Sequence, residues 1–360
     1  MVAKIKGVKT IDFKFVLIGH GVVNGGGNPS LQGEDGKTVK NHSIPKLRGF
    51  SNKSGRVKEE NGFEYLKRAE DINLKETPAY VSDNCLKHHL YKAEMPFHLG
   101  KLEEKHARMM LLSPVGWLRG YSITVAGANP IMRGKSVMLE DAVDTLHNGN
   151  FEVFSTASSR NSETGGFFTK TTLGDTKYEG YGSINLENLQ FVSLDGLFGR
   201  SAMPFSFSEE DALQMVPELE EMLLDLTEDE SLKPRVEYNP CWVRKGSCME
   251  VGEAGFLLNE DGVKVLVEVM LEKFRTLYIN QGKGWLKTQE LTVDYNDGQP
   301  MRIKEGLGFV NDTWTNEVAV YYAPGTEENL AESKRQIEVM NDANKKGRAA
   351  KKKKSKKEED

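Results

Sequence analysis

Between Asn259 and Ile279 apolar residues recur at helical spacing: Val263, Leu266, Val267, Met270, Leu271, Phe274, Leu277 and Tyr278. A stripe that wide cannot stay in water and needs a sheet beneath it. Gly282 is expected to end the helix. The rest of the chain must therefore supply strands. Ile11, Phe13, Phe15 and Leu17 alternate along 11–18 and read as a half-buried strand. Leu291, Val293 and Tyr295 alternate as another, turned by Asn296-Asp297-Gly298 into Met301-Arg302-Ile303. Trp314 to Tyr322 reads as a last strand. Strands at both ends with a long amphipathic helix between later ones predict an α+β fold, its sheet covered by helices on one face. A ferredoxin-like or RRM-like core with large insertions is one such plan.

Shorter signals fill the middle. Thr77 to Val81 reads as extended, and Ser82 as the N-cap of a helix over Asp83–Tyr91. On that helix Asn84, Lys87 and Tyr91 share one face, with Leu86 and Leu90 on another. Its N-terminus, with free N–H groups and a positive dipole end, can hold a phosphate. Asn148 to Thr176 is polar yet carries Phe151, Phe154, Phe167 and Phe168 beside Arg160 and Lys170. It reads as a projecting hairpin whose aromatics serve either base stacking or a partner subunit. Tyr181 to Asp195 returns the chain to the sheet. Ser208 to Glu230 holds ten acidic residues and no basic one, with Leu219, Met222, Leu223 and Leu226 on an amphipathic helix started by Pro217. Glu327 to Met340 reads as an exposed helix, and the Lys-rich tail beyond Lys345 as disordered.

Charge is distributed unevenly. Residues 37–58 hold seven Lys or Arg (Lys37, Lys40, Lys46, Arg48, Lys53, Arg56, Lys58) and no acid. The whole chain carries −5, and without the basic tail at 345–360 residues 1–344 carry −11. Concentrated positive charge on an acidic body fits either a polyanion or a solvated loop. Any nucleic-acid contact must then be a local groove. Arg244 and Lys245, before Gly246, read as further groove candidates or as a plain turn. No apolar run approaches the roughly 18 residues of a membrane span. The N-terminal residues lead into charge and not into a signal sequence. Three cysteines are an odd, sparse set that argues against a disulfide framework and suits a reducing cytoplasm.

Catalytic signatures are missing from the sequence. It has no Walker A loop, no Gly-x-Ser-x-Gly and no His-Glu-x-x-His. Cys241 and Cys248 lack a second ligand pair, and the adjacent His88 and His89 point about 100° apart on a helix. No metal or cofactor is expected. His20, before the Gly25–Gly27 loop, is a candidate base or a hydrogen-bonded structural residue. Trp242 reads as core. These residues favour a non-catalytic RNA-binding protein.

Several blocks carry a resemblance: Gly19-His20-Gly21-Val22-Val23-Asn24, Asp35-Gly36-Lys37-Thr38-Val39, Pro45-Lys46-Leu47-Arg48-Gly49, Glu76-Thr77-Pro78, Asn84-Cys85 with His88-His89-Leu90, Asn148-Gly149-Asn150-Phe151-Glu152, Lys170-Thr171-Thr172 with Gly174-Asp175-Thr176, and Thr292-Val293-Asp294-Tyr295-Asn296-Asp297. In this order the chain resembles the repeated backbone subunit of type I CRISPR Cascade complexes, the "Cas-seven" family, nearest its compact type I-F variant branch. The resemblance implies a hand-shaped domain over 1–324. It has an RRM-like (ferredoxin-like) palm, finger insertions, a thumb hairpin near 151–178 and an acidic helical insertion near 208–230. Residues 325–360 follow as a helical to disordered tail.

By the same resemblance, copies polymerise along one guide RNA (crRNA) and present it for pairing with target DNA in antiviral defence. The implied partners are crRNA, target DNA, copies of the chain in a helical filament, subunits capping both crRNA ends and a recruited nuclease-helicase. Lys46 and Arg48 would hold guide phosphates. Ser82, Asn84, Lys87 and His88 would line the same groove. Phe167, Phe168 and Lys170 would form the intercalating thumb, and His20 and Asn24 the RNA face of the palm. Lys53 belongs to the basic cassette. Two other functions compete: a type III-like subunit that cuts RNA with Asp83 or Asp175, and a nucleotide-binding metabolic protein using the glycine loop.

Overall fold

The computed structural model describes residues 5–23, 30–32, 38–40, 56–58, 64–66, 78–94, 99–126, 129–147, 153–154, 168–169, 173–247, 251–306 and 310–339. Along the first half run β1 (Thr10–Val22), β2 (Tyr80–Val81), α1 (Asp83–Tyr91), α2 (Pro114–Leu118), β3 (Tyr121–Ile123), β4 (Ile131–Arg133), β5 (Val137–Leu139) and β6 (Ala142–Asp144). Then come β7 (Asp175–Asn185), α3 (Leu186–Gln190), β8 (Phe191–Ser193), α4 (Glu209–Asp225), β9 (Val236–Arg244), β10 (Glu253–Leu258), α5 (Glu260–Arg275), β11 (Tyr278–Gln281), β12 (Lys283–Asn296) and β13 (Tyr322–Pro324). The fold is α+β, as the periodicity predicts.

The main sheet is antiparallel and curled, in the order β11-β12-β1-β7-β6-β2, with β5 also pairing on β7. β1 lies at its centre. Ile11, Phe13, Phe15 and Leu17 point one way and are fully buried. They meet α5, where Phe274 packs 4.8 Å from Phe13 and 5.1 Å from Phe15, ring centre to ring centre. Burying each ring contributes roughly 1.5–3 kcal/mol. Phe13 lies opposite Gly182 and Phe15 opposite Gly180. A β-carbon at either glycine would sit 2.3 Å from the ring facing it. The glycines are the space the rings occupy.

The predicted helix ends earlier than its apolar stripe. Asn259 caps α5 through Gly262 N, 2.9 Å, and the helix stops at Arg275. Tyr278 and Ile279 already belong to β11. Gly282, at φ +65°, instead turns β11 tightly into β12. The acidic helix starts at Ser208, whose hydroxyl accepts from Asp211 N while Asp211 accepts from Ser208 N. Pro217 lies inside α4 and not at its start. Its missing N–H leaves the carbonyl of Leu213 without a helical partner, a modest loss because Leu213 is exposed and water is at hand.

Three other expectations change. Leu186 and Leu189 belong to α3, which interrupts the return to the sheet, because Asn185 caps it through Asn188 N at 2.8 Å. Met301-Arg302-Ile303 forms no strand. Asp12, buried on the far side of β1, accepts from Ser183 Oγ (2.6 Å), Asn296 Nδ2 (2.9 Å) and Met301 N (2.7 Å). Arg302 then forks onto the buried Asp294 with two bonds of 2.7 Å. These bonds hold the segment as one short helical turn, Arg302–Glu305. Trp314 to Tyr322 is mostly irregular, held by a parallel bridge between Val8 and Val318, and the last strand is β13.

β13 joins a second antiparallel sheet, β8-β10-β9-β13. Trp242 is core there as predicted, donating to Gly255 O at 3.0 Å. Residues 327–339 are helical, and Ser333 is buried against Gly252, bonding both its N–H and its carbonyl. No described helix is long and apolar enough to cross a membrane. Residues 153–154 pair antiparallel with 168–169.

Candidate nucleic-acid interface

Helix α1 begins where the sequence places it. Ser82 is extended and accepts from Cys85 N at 3.4 Å. The helix start already meets an anion from within the chain, since Asp83 N donates to Asp141 Oδ1 at 3.0 Å. Ser82 is buried, so it positions the helix and does not face the solvent. Tyr91 is not on an outer face either; it is buried and donates to Met270 Sδ, tying α1 to α5. Asn84 stays exposed and Lys87 half-buried. Lys87 holds Asp83 at 2.6 Å. Burial would raise the Asp83 carboxyl, but the lysine hydrogen bond and charge outweigh it and hold it below the usual range. His88 is exposed and edge-on to His89, while His89 is buried on Gln281 at 2.9 Å.

Asn84 and Lys87 open onto a cavity of about 590 Å³. The antiparallel β3–β4 hairpin builds most of its charge by bringing its two ends together. Arg119 precedes β3, while Arg133 ends β4 and is followed by Lys135. Arg200, from the loop after β8, completes the set. Tyr121, Phe191 and Tyr322 supply aromatic wall. The lining thus holds five cationic side chains and, among the described residues, one carboxylate, Glu187. Glu187 is itself taken by Arg244, through an Nε bond and an Nη2 bond of 3.0 Å. Two of the cations are matched from outside the lining: Lys87 by Asp83 and Arg200 by the buried Glu253.

Arg133 differs from the other cations. It is 8% exposed. Its guanidinium donates to the carbonyls of Gly134 (3.3 Å) and Asn188, and stands 6.0 Å over the Trp117 ring. Burial pushes it down to about 10, with the neighbouring Arg200 acting in the same direction. Its Nε has no hydrogen-bond partner among the described residues.

The other sequence candidates scatter. Arg244 neutralises Glu187 and does not line the cavity. Lys245 lines a separate hollow beside Lys6 and Glu317. His20 lies near the end of β1 on the outer sheet face, with Asp175 at 3.7 Å on one side and the backbone of Trp285 on the other. Trp285 and Tyr278 are exposed aromatics near it that the sequence reading missed, Tyr278 because it completes the helical stripe. Phe168 pairs through its backbone with Phe154. Asn24, Lys46, Arg48, Lys53, Phe167 and Lys170 lie outside the described residues. Among the described residues, no group of three His, Cys, Asp or Glu could hold a metal ion.

The loop that carries Arg200 is anchored by Asp195, which accepts from Leu197 N (3.0 Å) and Ala254 N (2.7 Å). Burial nevertheless raises its carboxyl to about 6, with Glu253 adding to the rise. A folded-state value above the unfolded one means that the native state holds the proton more tightly. This contribution to stability is full below about pH 4 and is lost as the pH rises to about 6. Asp195→Asn is expected to remove that slope. The wild-type-minus-variant unfolding free energy should fall by about 1–3 kcal/mol between pH 4 and 7. A difference that stays flat in urea titrations across that range would refute the assignment.

Over residues 7–325 the chain matches the sequence model of a family described as type I-Fv CRISPR-associated protein Cas7fv-like. A search of curated proteins found no match.

Proposed function

From the premise that the chain belongs to the Cas7fv-like family of type I-Fv CRISPR-associated proteins, we propose that it is a guide-RNA-holding backbone subunit of a Cascade complex. Copies bind side by side along one crRNA, present it to target DNA, and leave cutting to a recruited nuclease-helicase. Other subunits cap the two crRNA ends, and the assembly works in the cytoplasm. In this reading residues 1–324 form the hand. The curled antiparallel sheet is its RRM-like palm, the 151–178 hairpin its thumb, and Lys46 and Arg48 further phosphate contacts.

One observation in this chain carries the reading: a cavity lined by five cations and one neutralised carboxylate, on a body of net negative charge. Such a local concentration draws a polyanion to one place while the acidic remainder repels it elsewhere. The exposed Trp285 and Tyr278 near His20 suit bases laid on the outer sheet face. RNA cutting by Asp83 or Asp175 is not favoured, since Asp83 is held by Lys87 and Asp175 faces His20.

Co-expression with guides of two lengths tests this. The purified chain should retain RNA, and particle length seen by electron microscopy should follow guide length. Protein that emerges free of RNA with both guides would end the proposal.

A further inference from the structure

Arg133 is a cation taken out of water with no counter-charge among the described residues. Lys87 and Arg200 each have a carboxylate, and the cavity's own Glu187 is occupied by Arg244. Arg133 has only two carbonyl acceptors, and its Nε lacks any partner among the described residues. Its separation from Trp117, 6.0 Å, is at the outer limit of a useful cation–π contact. Burying an unpaired ion is strongly unfavourable, and an orphaned buried donor adds to that. A structural role in bracing Gly134 and Asn188 would need donors but no charge. The charge makes sense when an anion occupies the cavity that Arg133 helps to line.

We propose that Arg133, with Arg119 and Lys135 at the two ends of the β3–β4 hairpin, seats a phosphate-class oxyanion in this cavity. Three features fit that ligand. Guanidinium forks match phosphate oxygens. The lining is net positive, since Glu187 is cancelled. The cavity, about 590 Å³, is much larger than a phosphate ion, so a phosphate still joined to its sugar also fits. That the phosphate belongs to a guide backbone rests on the function proposed above; the seat itself rests on Arg133 and the cavity alone.

The test uses the full chain, wild type and Arg133→Met, which keeps the aliphatic stem and removes the charge. In the first arm, thermal unfolding is followed against inorganic phosphate at ionic strength matched with sodium chloride. Phosphate should raise the wild-type midpoint, and the variant's apparent affinity should be weaker by on the order of tenfold or more. Without phosphate, the variant should melt no lower than wild type, because an unpaired buried charge has been removed. In the second arm, RNA retention is measured against salt, and the variant should lose about 0.7 of the logarithmic salt slope.

A change in the first arm alone assigns the seat to a free phosphate. A change in the second alone assigns it to a phosphodiester. No change in either arm overturns the seat, as does a phosphate response of equal size in both proteins without a change of slope. Wild type that responds to phosphate yet holds no RNA would overturn the guide reading and leave the seat standing. If Arg133→Met does not fold, Arg133→Lys decides. A folded lysine variant should keep a weakened response, and wild-type behaviour in both arms would show that the guanidinium is not needed.

Discussion

Arg302→Ala is expected to destabilise the chain by about 3–5 kcal/mol. Asp294 is fully buried, and two bonds of 2.7 Å from Arg302 are its main compensation. Among the described residues, only Asn311 N, at 3.0 Å, would remain to it. A carboxylate stripped of its cation in that position must either stay charged at great cost or take up a proton. Converting Asp294 to Asn in the same chain should recover much of the loss, since the uncompensated charge disappears. Urea denaturation of the two single variants and the double variant measures this. A single-variant loss below about 1 kcal/mol would mean that water reaches Asp294 and that the fork is replaceable.

The largest functional effect is expected from Lys87→Ala, Arg119→Ala and Lys135→Ala combined. All three side chains line the cationic cavity, and none is a large part of the core. If each meets one guide phosphate, the salt slope of RNA binding should fall by about 2, which at 0.1 M salt is roughly a hundredfold in affinity. The loss should not depend on guide sequence, because phosphates carry no sequence information. Lys87→Ala also releases the Asp83 carboxylate near the cavity, which deepens the effect. Titrations of two unrelated guides at several salt concentrations provide the measurement. An unchanged slope in folded protein would move the guide path away from this cavity.

What the sequence made legible follows the range of the interaction. β1, α1 with its Ser82 cap, α5 and the 327–339 helix all rest on contacts within a few residues, and periodicity or a cap signals them directly. Where distant partners decide, the reading failed. Nothing near Met301 says that Asp12, on another strand, will accept its N–H. The start of α4 is a different case: its signal is local, the Ser208–Asp211 capping box, and Pro217 competes with it as a second helix-start residue eight positions into the helix. The family was legible because it is written in many short blocks, and the match over 7–325 agrees with it.

The cavity was not legible, for a related reason. Its cations come from α1, from both ends of a hairpin and from the loop after β8, and no single stretch is rich in them. One signal was available. Ile131 and Arg133 sit two apart in a short strand, and that spacing puts both on one face. An arginine in step with a buried isoleucine is a sign of a buried charge.

The phenylalanine rings over Gly180 and Gly182 tie together positions that lie far apart along the chain. Neither partner can drift alone: a side chain gained at Gly182 collides with Phe13, and a ring lost at Phe13 leaves a hollow against α5. Only paired exchange, a smaller residue on β1 with a larger one on β7, keeps the volume between the strands constant. Related chains should therefore show these two strand positions changing in step. An alanine at Gly182 should become tolerable when Phe13 is leucine, provided that the Leu139 methyl, 2.8 Å from the added β-carbon, also shifts.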